Sequence, residues 1–154
     1  MNNVWGLISA QSPEIELNVY GPHLSDKLRK KWKFFKNVNL VGFVDHISEA
    51  YNDSFLSVCP ILYGGGTNIK VIEAAKYKRI CLLTPYASKV LPKNPVSDYY
   101  ICSNPDEFAS RVLELSRSEE LLISKTKTFA KLFDEAPSLD DFGRILVETV
   151  NSKL

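Results

Sequence analysis

The stretch that decides the fold is "SFLSVCPILYGGGTNIKVIEAAKYKRICLLT", residues 54–84. Its opening residues are nearly all apolar or small, which predicts a strand over 54–61 with both faces covered. Three glycines then lead into a helical pattern over 67–77, and a second apolar run predicts another strand over 79–85. A strand, a helix and a strand in this order indicate a crossover between parallel strands.

The same alternation continues in both directions from this stretch. Because strands that alternate with helices form parallel sheets, we predict a single α/β domain over 1–154. Its expected architecture is a Rossmann-like, doubly wound parallel sheet with a helical C-terminal tail. Further strands are expected at 15–21, 38–42 and 99–103, and helices at 2–14, 25–35, 45–53, 105–117, 118–133 and 138–152. The helix N-caps are expected at Ser25, Asp45 and Asn104.

The composition limits the class of protein. The 154 residues fit one domain, and the hydrophobic fraction of 45% is ordinary for a globular chain. The 19 basic and 18 acidic residues argue against a nucleic-acid partner. We see neither an apolar run of the ~18 residues that span a membrane nor a signal peptide. Together with the reducing compartment that the cysteines indicate, this leads us to expect a cytoplasmic protein, either free or at the inner face of the membrane.

A basic segment with aromatic residues, "KLRKKWKFFK", occupies 27–36. Such a segment could contact RNA or a membrane surface. We interpret it as an exposed amphipathic helix whose Leu28, Trp32 and Phe35 pack inward. A peripheral membrane contact stays open at this point.

The three cysteines lie in or beside apolar runs. Cys59, Cys81 and Cys102 form no CxxC pair, and no histidine cluster lies near them in the sequence. We therefore expect no metal site, and we interpret these residues as small buried side chains in a reducing compartment.

The glycines before the central helix predict an anion site. Glycine lets a backbone approach a ligand closely, and a helix N-terminus offers unpaired N–H groups to an anion such as phosphate. The candidate ligand-binding residues are Gly64, Gly65, Gly66, Thr67 and Asn68. The segment is neither a Walker A loop nor a GxGxxG element, and a flexible turn is the alternative.

Two charged residues follow on one face of the same helix. Lys70 and Glu73 are three residues apart. Glu73 comes seven residues after Gly66, which places it about 10 Å along the axis at ~1.5 Å per residue. A carboxylate there could accept hydrogen bonds from the ribose of a bound nucleotide. A surface ion pair between Lys70 and Glu73 is the alternative, and the residues alone do not separate the two.

Four blocks of the chain together resemble a known family. The stretch 54–84 looks like the donor-binding core of the group 1 glycosyltransferases, which have the GT-B fold. "PEIELNVYGP" (13–22) is similar to the second strand of the family's C-terminal half. "NVNLVGFVDHISEAYNDS" (37–54) resembles its pattern "v-x-x-x-G-x-v-x-x-x-x-x-x-y-x-x-a-d", and "NPDEFASRVLEL" (104–115) is similar to a segment after its last sheet strands. The resemblance covers roughly residues 3–117.

The resemblance implies one half of a GT-B fold that binds a nucleoside diphosphate sugar. The implied reaction is transfer of a hexose to a saccharide or lipid-linked acceptor, as in surface polysaccharide synthesis. Neither a cofactor nor a metal is implied, and no residue of this sequence is assigned as catalytic.

The resemblance also assigns binding roles by position. Glu73 aligns with the residue that binds the ribose, and Lys70 with the lysine of "GxG-x-x-x-K-x-x-E". The loop that holds the diphosphate corresponds to Gly65, Gly66 and Thr67, and the loop beside the base to Gly42, Phe43 and Val44.

The sequence departs from the family pattern in three places. Many members carry an acidic residue eight positions before the ribose-binding one, where this chain has Gly65. The family's first C-terminal strand, whose loop supplies basic residues to the phosphates, has no counterpart here. The N-terminal acceptor domain has none either. We therefore expect the chain alone to be inactive and to need an acceptor domain or partner subunit.

Two other interpretations compete with a donor domain. The chain could be a catalytically inactive nucleotide-binding or interaction module that pairs with a separate acceptor-domain subunit. It could also be an unrelated Rossmann-like domain such as a receiver or flavin binder. The sequence lacks the acidic cluster of a receiver and the Gly-rich turn after a first strand that a flavin binder would need.

Overall fold

The computed structural model describes residues 2–21, 25–64 and 68–134. Helices and strands alternate along them, which confirms the predicted α/β class. The elements are α1 (Asn2–Gln11), β1 (Leu17–Tyr20), α2 (Asp26–Trp32), β2 (Val38–Gly42), α3 (Ile47–Asn52), β3 (Leu56–Cys59), α4 (Ile69–Lys76), β4 (Ile80–Leu83), α5 (Pro105–Arg117) and α6 (Glu119–Lys131). Short 3-10 helices cover Ala87–Val90 and Ser97–Tyr100. The helix predicted at 138–152 lies outside the described residues.

The four strands pair in parallel, as predicted. β1 pairs with β2, with Leu17 opposite Val38, and β3 pairs with β4, with Leu56 opposite Ile80. Within the described residues these pairs form two separate two-stranded sheets, and β1 is not hydrogen-bonded to β3. Each pair is connected through a helix, which is the crossover that parallel strands require.

The core is built around β4. Its four residues are all buried, and α4 and α6 both pack against it. Val71 and Ala74 of α4 and Phe129 of α6 are fully buried there. On the other side of the domain α1 packs against α5. This packing explains why β4 is a continuous apolar run in the sequence.

Two of the three predicted helix caps are confirmed. Ser25 accepts a hydrogen bond at 3.4 Å from a backbone N–H in the first turn of α2, and Asn104 accepts one at 2.8 Å in α5. The prediction for Asp45 was wrong. The N-cap of α3 is His46, whose side chain makes no capping hydrogen bond. The helix begins one residue too late for the Asp45 carboxylate to occupy the cap position.

The strand predicted at 99–103 was wrong. The chain forms a 3-10 helix over Ser97–Tyr100, and only Ile101 forms a single parallel bridge with β4. The ring of Tyr100 is fully buried and packs edge-on against Phe129, with 4.8 Å between ring centroids. Tertiary packing of this aromatic side chain overrides its preference for strands.

The basic segment is only partly amphipathic. α2 has seven residues and buries none of them. Phe35 packs partly against the core and Trp32 is half-buried, as predicted, but Leu28 is 41% exposed and its inward packing was wrong. Only the C-terminal end of this short helix approaches the core. The next aromatic residue, Phe34, is 89% exposed.

The cysteines are buried free thiols, as predicted. Cys59 and Cys81 lie on neighbouring strands, and Cys102 follows the bridge to β4. Burial raises the pKa of Cys81 to about 12 and that of Cys102 to about 11. These thiols are therefore uncharged at neutral pH. In the described part of the chain, no helix has the length and apolar character needed to cross a membrane.

Candidate donor-binding site

The glycine loop leads from β3 toward α4. Gly64 has a φ of +141°, a backbone conformation that other residues rarely adopt. The hydroxyl of Tyr86 donates a hydrogen bond to the Gly64 carbonyl. The predicted site residues Gly65, Gly66 and Thr67 lie outside the described residues.

The N-terminus of α4 is not capped by a side chain. Asn68 is the N-cap residue, but its side chain makes no hydrogen bond to the amides of the first turn. Its Nδ2 instead donates to the carbonyl of Ala87 over 3.2 Å. The amides at the start of α4 therefore do not have the partner that an N-cap asparagine usually supplies.

Glu73 is held by a tyrosine of α3. The Tyr51 hydroxyl lies 3.4 Å from Oε2 of Glu73 and 3.2 Å from the carbonyl oxygen of Lys70. The Tyr51 ring also stacks on Tyr77, with centroids 5.1 Å apart and planes 13° from parallel. Burial, together with the nearby Glu73 carboxylate, raises the pKa of Tyr51. Tyr51 thus stays a protonated hydrogen-bond donor over the physiological pH range.

Lys70 and Glu73 do not form the surface ion pair that was one alternative. Among the described residues the salt bridge within 4 Å is Arg111–Glu114, at 3.3 Å. Lys70 is exposed, and Glu73 is only partly exposed beside Tyr51. The alternative based on a structural ion pair is therefore not supported by the geometry.

The last turn of α3, which carries Tyr51, is held by Arg79, the residue just before β4. Arg79 donates from Nε to the Tyr51 carbonyl over 2.8 Å and from Nη2 to the Asn52 carbonyl over 3.2 Å. These carbonyls belong to the last turn of α3, where a helix leaves its acceptors unpaired. A guanidinium there also matches the negative end of the helix dipole.

The loop after β2 is shaped by Gly42. Its φ is +89°, and its carbonyl accepts a 2.7 Å hydrogen bond from the amide of Gly21, which follows β1. Phe43 is 69% exposed, and Val44 is half-buried. A large aromatic side chain is thus presented at the carboxyl ends of β1 and β2.

One cavity of about 1120 Å³ brings five predicted site residues together. Gly42, Phe43, Val44, Lys70 and Glu73 all line it. The cavity extends between the two sheets, and its lining comes mainly from β1, β3, α1, α3 and α5 together with the loops beside them. Gly64 and Asn68 do not line it.

Tyr51 is a residue of the site to which the sequence pattern assigned no role. This residue is the tyrosine of the quoted pattern over 37–54, so the signal was present in the sequence. Its contact with Glu73 joins residues 22 positions apart, and residue spacing along one helix does not reveal it.

Metal ligands are not clustered in the described ranges. Among residues 2–21, 25–64 and 68–134, no three histidine, cysteine or acidic side chains come together in a group that could hold a metal ion.

The parallel strand pairs, each connected through a helix, define a Rossmann-like α/β domain. The family profile described as "Glycosyl transferases group 1" matches residues 1–118. This match covers more than half of the 154-residue chain, so the chain belongs to the group 1 glycosyl transferases. Its class of activity is glycosyl transfer. No curated protein matches the sequence.

Proposed function

We propose that this chain is the donor-binding part of a glycosyltransferase. It would bind a nucleoside diphosphate sugar and present its hexose to a saccharide or lipid-linked acceptor. Family membership supports the reaction class, and the observation that carries the site is the placement of Glu73 in one cavity with the loop of Gly42, Phe43 and Val44. In this proposal Glu73 accepts hydrogen bonds from the ribose, and Phe43 lies against the base.

The diphosphate belongs at the N-terminus of α4. The Asn68 side chain makes no capping hydrogen bond to the first-turn amides of this helix, of which the Val71 amide donates to the Asn68 carbonyl over 2.9 Å. Helix N-terminal amides favour an anion, and their effect grows as negative charge develops on a departing diphosphate. Lys70, exposed on the first turn of α4, supplies a further positive charge. In this mechanism neither a metal nor a cofactor is required.

The setting that we propose is cytoplasmic polysaccharide synthesis, with the acceptor supplied by an acceptor domain or a partner subunit. α2 carries Lys27, Arg29, Lys30 and Lys31, and Phe34 beyond it is almost fully exposed. An exposed aromatic residue beside basic side chains suits a peripheral contact with an anionic membrane, which would bring the protein to a lipid-linked acceptor.

Thermal unfolding with added nucleotides tests the donor site. UDP, GDP, ADP and UDP-glucose would each be added at millimolar concentration. A ligand that binds only the folded chain raises the melting temperature by mass action. The proposal predicts a rise with one nucleotide in preference to the others. Equal shifts with all of them, or none with any, would contradict it.

A second candidate function is a catalytically inactive module that pairs with a separate acceptor-domain subunit. The observation that favours it is the open cavity between the two sheets, because unpaired strand edges promote association. Assays of sugar release from the nucleotide sugar separate the candidates. The assay supplies both an acceptor and an acceptor-domain subunit, which the chain is expected to need. Release under these conditions supports the enzyme, whereas nucleotide binding without release supports the module.

A further inference from the structure

The turn that follows β4, residues 84–91, contacts both ends of the loop that leads from β3 to α4. At the start of that loop, the Tyr86 hydroxyl donates a hydrogen bond to the Gly64 carbonyl. At its end, Nδ2 of Asn68 donates to the Ala87 carbonyl over 3.2 Å. This β4 turn therefore lies directly beside the N-terminus of α4, where we place the diphosphate of the donor.

A lysine of the β4 turn is held beside these contacts. The ammonium of Lys89 lies 4.3 Å from the ring centroid of Tyr86, which is within the range of a cation–π contact. The same ring carries the hydroxyl that binds the Gly64 carbonyl. Lys89 is exposed and comes two residues after Ala87 in the same short 3-10 helix. Its positive charge is therefore kept near the start of α4 and is open to a ligand.

The order of the strands gives the direction in which a bound donor extends. The proposed base loop at 42–44 comes at the end of β2, Glu73 and the N-terminus of α4 follow β3, and Lys89 follows β4. β3 and β4 are paired in parallel, so their carboxyl ends meet at one edge, where such sheets bind ligands. A donor with its base at 42–44 and its ribose at Glu73 directs its diphosphate to α4. The sugar beyond the diphosphate then lies at the β4 turn.

The part of the chain that forms this end of the site is basic. Between residues 54 and 97 the sequence has one acidic residue, Glu73, which we assign to the ribose. The basic residues of the same range are Lys70, Lys76, Lys78, Arg79, Lys89 and Lys93. A neutral hexose presents hydroxyl donors, for which a carboxylate is the strongest acceptor, and the β4 turn has no carboxylate. A sugar that itself carries a carboxylate complements the ammonium of Lys89 instead.

We propose that the sugar of the donor is a uronic acid whose carboxylate binds the ammonium of Lys89. Tyr86 is a positioning residue, because its ring holds that ammonium and its hydroxyl joins the β4 turn to Gly64. The inference rests on the proposed function, since the position of the sugar follows from that of the nucleotide. It names the class of donor, which carries one negative charge more than the same nucleotide with a neutral hexose.

Sets of three ligands that share a base test this inference. For uracil the ligands are UDP, UDP-glucose and UDP-glucuronate, and for guanine they are GDP, GDP-mannose and GDP-mannuronate. Within each set the two sugars have the same ring stereochemistry and differ in the carboxylate. Calorimetric titration of the full chain measures the affinity for each ligand at low and at high ionic strength, because salt screens an exposed ion pair.

The proposal predicts that a uronate binds about twofold to fivefold more tightly than the neutral sugar on the same base, as expected for one exposed ion pair. This preference should shrink at high ionic strength. Lys89→Met removes the ammonium while keeping much of the side-chain length, so it should abolish the preference, whereas Lys89→Arg should keep it. Lys76→Met is the matched control, because Lys76 is also exposed but lies at the opposite end of α4. It should bind all the ligands as the wild type does.

A variant of Tyr86 tests the positioning role. Tyr86→Leu removes the ring that holds the ammonium, so it should reduce the preference for the uronate. Tyr86→Phe keeps the ring and should restore that preference. The readout is the ratio of two affinities measured on the same variant, so a general loss of structure or of nucleotide affinity does not change it. A full preference in Tyr86→Leu would show that Tyr86 does not position Lys89.

Four results would overturn the inference. Binding of the neutral sugar as tightly as the uronate, or more tightly, would exclude a uronic acid and leave the proposed function standing. A preference that persists in Lys89→Met would remove this lysine from the sugar site. If Lys89→Met weakens UDP or GDP as much as the uronate, the lysine binds the diphosphate instead. Absence of binding by all six ligands would overturn the inference together with the proposed function.

Discussion

The hydroxyl of Tyr51 lies 3.4 Å from Oε2 of Glu73 and joins α3 to α4. The same hydroxyl reaches the Lys70 carbonyl at 3.2 Å. The carboxylate that we propose as the ribose ligand is therefore oriented before any nucleotide binds. Tyr51 acts through Glu73 and is a positioning residue in this account.

Tyr51→Phe should keep the fold and weaken nucleotide binding. The variant retains the ring that stacks on Tyr77 but loses the hydrogen bonds of the hydroxyl, which lowers stability by about 1 kcal/mol. The bound nucleotide then has to order the Glu73 side chain, which costs about 0.5–1.5 kcal/mol of binding free energy. The affinity for the nucleotide should fall by roughly twofold to tenfold. Calorimetric titration measures the affinity, and urea unfolding measures the stability.

Tyr99→Phe is the matched control for this prediction. Tyr99 also donates to a carboxylate over 3.4 Å, that of Glu114, but neither residue lines the cavity. Its variant should leave nucleotide affinity unchanged. A loss of affinity that is equal in the two variants would remove Tyr51 from the site.

Arg79→Met should destabilise the chain by about 1.5–3 kcal/mol, since hydrogen bonds from a charged group to the last carbonyls of α3 are lost. Methionine keeps much of the side-chain length, so the effect reports on the guanidinium. Urea unfolding measures it. Arg117→Met, at an exposed position at the end of α5, should change stability by less than about 0.5 kcal/mol. Similar values for the two variants would contradict the capping role.

Lys78→Gly should stabilise the chain. Lys78 has a φ of +53° just after α4, and the amide of the next residue, Arg79, donates back to the Ala74 carbonyl over 2.8 Å. This is the position where glycine usually ends a helix. Glycine relieves the left-handed strain, so the free energy of unfolding should rise by about 1 kcal/mol. Lys76→Gly, at the last residue of α4, should lower it by up to about 1 kcal/mol, because glycine is a poorer helix former than lysine. A decrease with Lys78→Gly would be the contrary result.

The buried thiols predict how stability depends on pH. Cys81 has a pKa of about 12 in the folded chain, against about 8.5 in the unfolded one. Because the pKa of this thiol is higher in the folded chain, its contribution to stability is fully present below the pKa of the unfolded chain. That contribution is lost as the pH rises toward the pKa of the folded chain. The free energy of unfolding should therefore fall between about pH 9 and pH 11.

Cys81→Ala tests this dependence. The variant should flatten the slope by up to about 1.4 kcal/mol per pH unit, since one titrating group is removed. Val71→Ala is the control, because it truncates an equally buried side chain that does not titrate. It should lower stability by the same amount at every pH. An unchanged slope in Cys81→Ala would show that this thiol ionises in the folded chain.

Local sequence signals predicted two elements at their observed bounds. β2 and α5 match, because Gly42 and Pro105 mark their ends directly. The strand predicted at 99–103 was wrong, because the burial of Tyr100 depends on Phe129, which lies in a helix distant in sequence. The division into two sheets also lies beyond sequence patterns, which show that strands exist but not which edges stay unpaired.

The site was predicted unevenly for a similar reason. Glu73 and the loop at 42–44 follow from the family resemblance, and the cavity that they share requires the three-dimensional structure. Lys70 and Glu73 lie on one helix, so their possible ion pair was visible in the sequence. Instead, Tyr51 of another helix contacts Glu73, and the sequence pattern did not predict this contact.

The central claim is that Glu73 binds the ribose of the donor nucleotide. The most direct test compares the nucleoside diphosphate that most raises the melting temperature with its 2′,3′-dideoxy analogue, by calorimetric titration. The wild type should bind the ribonucleotide about 10-fold to 100-fold more tightly, as expected for hydrogen bonds to a charged group. Glu73→Ala should lose this preference, and Glu114→Ala, the remote control, should keep it. An undiminished preference for the ribonucleotide in Glu73→Ala would contradict the account.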